Sequence, residues 1–267
     1  VAPLNSQNIE SLLEELEETM SKRLEYDHAK ETLISNLKKI FEDSSSTPEN
    51  QFYITNKLIE EFQYYSFDST LYYIEKNLKI ANELNNKLLI HESNLRLAKL
   101  LATSGRYDES IDLLEQIEPS NLSQDLTWEY YFVYKRCYVE LRNISRVIKI
   151  KEKYNKLYLA FRDSLNTEIS KPDKNSFPYL DVTEQNYRDT KDLKKALEIN
   201  TTRLLIAKPG TREFAMAAFN KSFMSYELVG DMKIQKKFLI LSAISDIQSS
   251  TKDNASLAKL ATILFEE

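Results

Sequence analysis

Glycine is nearly absent: Gly105, Gly210 and Gly230 are the only three in 267 residues. Average usage is about 7%, and folds that cradle phosphates or wind parallel sheets need several for positive-φ turns and close ligand approach. This chain has too few for either. Cysteine stops at Cys137, so no internal disulfide can form, and one cysteine leaves the compartment undecided. Histidine stops at His28 and His91, neither with a second His or a Cys at metal spacing; both read as structural or solvent-exposed, and no metal or other cofactor is expected. Long apolar runs are missing as well. The longest, 238–247, is broken by Ser242, Ser245 and Asp246 and falls short of the ~20 residues that span a bilayer. No segment alternates with period two for long enough to be a strand; Phe52-Tyr53-Ile54-Thr55 is β-prone but sits in a helical frame. A net charge of −5 and a pI of about 5.4 argue against nucleic-acid contact, which rests on phosphate neutralisation.

What remains is a helical composition, dominated by Leu, Lys, Glu, Asn, Ile and Ser, with aromatics for packing. After a polar tail over 1–8, the residues Leu12, Leu13, Leu16, Met20, Tyr26, Leu33, Ile34, Leu37, Ile40 and Phe41 recur at three- and four-residue steps. The stripe weakens at 22–25, which leaves one long helix or two. A polar run closes it at 43–48, where Pro48 opens the next helix. The window 91–122 fills a tetratricopeptide (TPR) grid: Leu97, Ala98 and Leu101, then Gly105 at the turn, Tyr107, small Ser110, then Leu114 and Ile117. Weaker copies run through Phe67, Thr70 and Ile74, through Val133, Cys137 and Leu141, through Leu193 and Ala196, and through Phe219, Phe223, Gly230, Met232 and Leu239. A longer helix and a loop at 171–178 account for the wide spacing near 154–178. The expected organisation is an N-terminal helical segment over 1–48 and about five TPR-like helix pairs over 49–267, an all-α right-handed superhelix. A further helix starts near Ala255, and the chain stops without a polar cap, so the natural protein is expected to continue. The opening Val-Ala-Pro, without Met, is compatible with a removed signal peptide.

Catalytic chemistry finds little support. Cys137 has no base placed near it by the sequence and reads as a buried small residue. The paired acids at 14–15 and 17–18 read as a solvated helix face, not as carboxyls across a cleft. Arg142, Arg146, Lys149, Lys153 and Lys156 follow helical steps and read as a solvent face with Ile144, Val147, Ile148 and Ile150 turned inward. The functional alternative for that stripe is an anionic ligand, nucleic acid or lipid headgroups. First helices of TPR pairs line a concave groove, and projecting the grid puts Tyr131, Lys135, Tyr138, Arg188 and Asn220 on it as the candidate binding residues. Inter-repeat packing is the alternative use of the aromatic stretch 128–138.

The segment Leu12-Leu13-x2-Leu16, then Arg23-x2-Tyr26-x3-Lys30-Glu31-x-Leu33-Ile34-x2-Leu37-Lys38, resembles the opening of TPR-containing membrane regulators of Gram-negative gut anaerobes, relatives of the starch-utilisation regulators. Leu33 departs from the Arg-Ile that the family often has there. The resemblance implies a periplasmic sensor region, preceded by a signal peptide and followed by a membrane helix that tethers it to a cytoplasmic DNA-binding part. It implies no catalytic residues. The expected role is therefore non-catalytic recognition of a protein, peptide or glycan in the groove, relayed across the membrane, with a homodimer as a compatible assembly. The alternative is a cytoplasmic TPR scaffold or peptide-binding protein.

Overall fold

A computed structural model describes residues 8–43, 47–171 and 173–266, and these form thirteen α-helices, one short 3-10 turn at Pro119–Asn121 and no strand. The expected polar tail lies, except for Asn8, outside the described residues. The opening stripe forms two helices, α1 (Ile9–Ser21) and α2 (Arg23–Glu42), parted at Lys22 where it weakens. Pairs follow: α3 (Pro48–Phe62) with α4 (Phe67–Glu83), α5 (Lys87–Thr103) with α6 (Tyr107–Leu114), α7 (Gln124–Ile144) with α8 (Ile148–Ile169), α9 (Phe177–Asp189) with α10 (Leu193–Ile206), and α11 (Arg212–Val229) with α12 (Met232–Gln248). The last described helix is α13 (Ala255–Phe265).

Local chemistry sets the ends. Thr47, Ser66, Asn86, Ser176, Asp192, Thr211 and Asp231 each accept a first-turn N–H with a side-chain oxygen, a cap that contributes about 1 kcal/mol. Several helices close through a left-handed residue at Asn85, Gly105, Lys191 or Ser250. The N–H after each returns to the carbonyl five residues back: Asn86 to Ala81, Arg106 to Leu101, Asp192 to Tyr187 and Thr251 to Asp246.

The chain divides into two compact units, Val1–Leu33 with Asp173–Glu267, and Ile34–Pro172. In the first, α12 is buried nearly all round among α1, α11 and α13, which explains why 238–247 is the longest apolar run. Leu12 and Leu16 of α1 join Phe238, Leu239, Phe214, Leu260 and Ile263 in its core. The polar interruptions of that run are satisfied. Ser242 Oγ donates to Ala215 O at 2.8 Å, and Ser245 Oγ accepts from Gly210 N–H at 3.2 Å.

The second unit holds the window with the clearest repeat pattern. Ala98 and Ser110 are fully buried where α5 meets α6, and Ser110 Oγ donates to Ala98 O at 2.8 Å. Small residues there let the two backbones approach. Cys137 lies against the same spot, its thiol 3.4 Å from Ser110 Oγ, and burial pushes that thiol up. Ile34 packs with Leu58, Phe62, Tyr73 and Leu100.

The basic stripe is not one helix face. The chain reverses at 145–147, where Ser145 Oγ donates to Leu141 O at 2.6 Å, so Arg142 sits on α7, Arg146 in the turn and the three lysines on α8. Ile144, Val147, Ile148 and Ile150 are exposed, not inward. A three- and four-residue period ran on through a reversal that the period itself cannot reveal.

Candidate functional site

The first unit contains a network of buried polar side chains on α9, α10 and α11. Its centre is Glu184, fully buried on α9. Its Oε2 receives Arg203 Nη1 from α10 and Asn200 Nδ2 at 3.0 Å. Its Oε1 receives Asn220 Nδ2 from α11 at 2.9 Å, with Arg188 Nη1 at 3.8 Å. Arg203, also fully buried, places Nη2 2.6 Å from Asp181 Oδ1 and its guanidinium over the Phe177 ring at 4.7 Å. The Asn200 amide reaches Ala217 O as well, at 2.9 Å. A carboxylate out of water is tolerable only with this many donors.

Two clefts adjoin the network. One, of about 200 Å³, lies among α11, α12 and α13 and is lined by Arg212, Met216, Phe219, Asn220, Asp246 and Asp253. Arg212 spans it, donating to Asp246 Oδ1 at 2.7 Å and Asp253 Oδ2 at 2.9 Å. Burial pushes the Asp246 carboxyl up to about 6 against the pull of Arg212. Burial also acts to raise Asp253, but the Ala255 N–H and Arg212 outweigh it and leave that carboxyl low. The other cleft, of about 330 Å³, lies between α9 and α11, with Arg188, Asp189, Phe223 and Glu227 on its walls. Phe219 and Phe223, 4.8 Å apart, run along α11 from one cleft to the other. Such a face offers charge of both signs, amide donors and aromatic rings, groups that can orient a bound molecule.

Of the expected binding residues, Arg188 and Asn220 thus meet at one carboxylate. Tyr131, Lys135 and Tyr138 lie on α7 in the other unit. Tyr138 is buried and stacks on Tyr134, Tyr154 and Phe161, and burial raises its hydroxyl to about 12. Tyr134 stacks on Phe161 at 4.1 Å, so this aromatic series joins α7 to α8. Lys135 is buried alongside. Tyr131 is partly exposed and edges a shallow cleft with Glu168 and Lys171.

A second polar series in that unit crosses the first helices α3, α5 and α7. Asn77 on α4 donates to Asn56 Oδ1 at 2.6 Å, and Asn56 to Glu92 Oε1 at 2.9 Å. Arg96 Nη2 holds the same oxygen at 3.1 Å, and Lys99 pairs with Glu129. Burial works to lower the Lys99 ammonium, but Glu129 carries it above its usual value. Sequence reasoning missed these residues, together with Glu184, Arg203, Arg212 and Asp246. The i, i+4 steps Glu92–Arg96, Glu184–Arg188 and Arg212–Met216–Asn220 were the available signal.

The helix pairs form an array of the TPR type, and repeat domains of this type are generally non-catalytic. The family model of the SusR N-terminal TPR domain matches residues 20–267, and the chain belongs to that family. No curated protein matches it. Among the described residues, no helix is long and apolar enough to cross a membrane.

Proposed function

We propose that the chain is the sensor domain of a SusR-like regulator, held on the periplasmic side of the membrane, and that it binds a glycan, peptide or protein on the face formed by α9, α11 and α13. The observation that carries this reading is the meeting of Arg188 and Asn220, from separate first helices, at buried Glu184 beside two clefts. A ligand that engages the Asn220 amide or the Arg188 guanidinium competes with Glu184 for those donors. Because Glu184 and Arg203 also tie α9 to α10, such competition favours one packing of these helices over another. Unequal binding to two packings is what relay requires.

The test is a thermal-shift screen of glycans and peptides, followed by calorimetry on Asn220→Ala. A hit should raise the melting temperature of the wild type and bind the variant at least about tenfold more weakly, the loss of roughly one good hydrogen bond. A hit bound equally by both would remove this face from the account. Export is tested by fusing the natural gene, from its own start codon through this region, to a phosphatase that is active only outside the cytoplasm; a silent fusion contradicts the periplasmic placement.

A further inference from the structure

The reversal between α7 and α8 carries exposed apolar side chains interleaved in sequence with exposed basic ones. Ile148 is 74% exposed, Ile144 64% and Val147 56%, and Ile150 follows on the first turn of α8. Leu141 and Tyr154 are the side chains nearest the tip on each helix that reach the shared core, so the tip extends beyond it by about one turn of α7 and nearly two turns of α8. From 142 to 156 the sequence holds Arg142, Arg146, Lys149, Lys151, Lys153 and Lys156 against a single acid, Glu152, in a chain whose net charge is −5. Arg142 is engaged with Asn155 at 3.1 Å and lies over Tyr158, while Arg146, Lys149, Lys151 and Lys153 are exposed.

We infer that this tip docks on an anionic lipid bilayer, with Ile144, Val147 and Ile148 entering the headgroup–acyl boundary and the lysines meeting lipid phosphates. Aliphatic side chains inserted several ångströms, with flanking cations, make the standard interfacial contact, and each half alone binds weakly. A protein partner fits the composition less well. Lysine is depleted from protein–protein interface cores, and the tip offers none of the exposed Trp or Tyr that anchor them. A second copy is disfavoured because two such tips repel one another.

The test is co-sedimentation of the chain with vesicles of phosphatidylcholine alone or mixed with phosphatidylglycerol, at low and high salt. The wild type should pellet with the anionic vesicles at low salt and leave the pellet as salt screens the charges. Ile148→Asp should weaken binding about tenfold, as should the triple change Lys149→Glu, Lys151→Glu and Lys153→Glu. All four positions are exposed, so unchanged helical circular dichroism is expected of both variants. Absence of binding to anionic vesicles overturns the inference, and so does equal binding by Ile148→Asp. Binding to an acidic peptide without binding to vesicles would reassign the tip to an acidic protein partner and equally overturn it.

Discussion

At the scale of single residues, the energetics concentrate where a polar or left-handed residue is held against its preference. Lys191 sits at φ 62°, a conformation that costs a side-chain-bearing residue about 1 kcal/mol or more. Gly105 and Gly230 hold the corresponding turns of other pairs at φ 83° and 68°. Lys191→Gly should therefore stabilise the fold by about 1 kcal/mol; denaturant unfolding with a lower midpoint than wild type would show that the 3.8 Å contact of Lys191 with Glu227 matters more. Glu184→Ala leaves Arg203 buried with half its compensation. It should cost on the order of 3 kcal/mol, far more than Glu18→Ala on the exposed face of α1. Equal losses would mean the network is not what anchors α9 to α10.

Asp246 gives a pH dependence with a definite sign. Its carboxyl is raised in the fold, to about 6 from an ordinary 3.8, so the folded state binds the proton more tightly than the unfolded chain. Stability attributable to this group is then greatest below pH 4 and declines as pH rises through 4–6. Relative to Asp246→Asn, the wild type should lose on the order of 2 kcal/mol across that window. Paired denaturation curves at pH 4 and pH 7 measure it; a wild type that gains on the variant with rising pH would show that Arg212 outweighs burial.

Elements were legible to the degree that residue size alone specified them. Ala98, Gly105, Ser110 and Leu114 each fill a slot whose volume or φ has one good solution, and α5 and α6 pack as that pattern requires. The start of α3 at Pro48 was legible from equally local chemistry, whereas the weak stripe at 22–25 left one helix or two until α1 and α2 were seen to part at Lys22. The Glu184–Arg203 pair was invisible because it depends on the rotation of α9 against α10, which no single helix encodes. The aromatic stretch 128–138 was legible as an unusual segment but not as the α7–α8 seam, since stacking on Phe161 requires knowing which helix lies opposite. Leu12→Ala should cost about 2–5 kcal/mol and speed hydrogen exchange across 9–21, because α1 is held to α12 by a buried stripe that includes it. Unchanged exchange there would mean α1 is secured by other contacts.

For the whole molecule, the chain is a helix-pair array of the SusR N-terminal TPR family, and the polar face of α9, α11 and α13 is where recognition is proposed to occur. The most direct test is hydrogen–deuterium exchange with and without a ligand taken from the thermal-shift screen, in wild type and Asn220→Ala. The account predicts protection concentrated in 177–189, 212–229 and 253–263 of the wild type and lost in the variant. Protection that centres on other helices, or that survives Asn220→Ala unchanged, would contradict it.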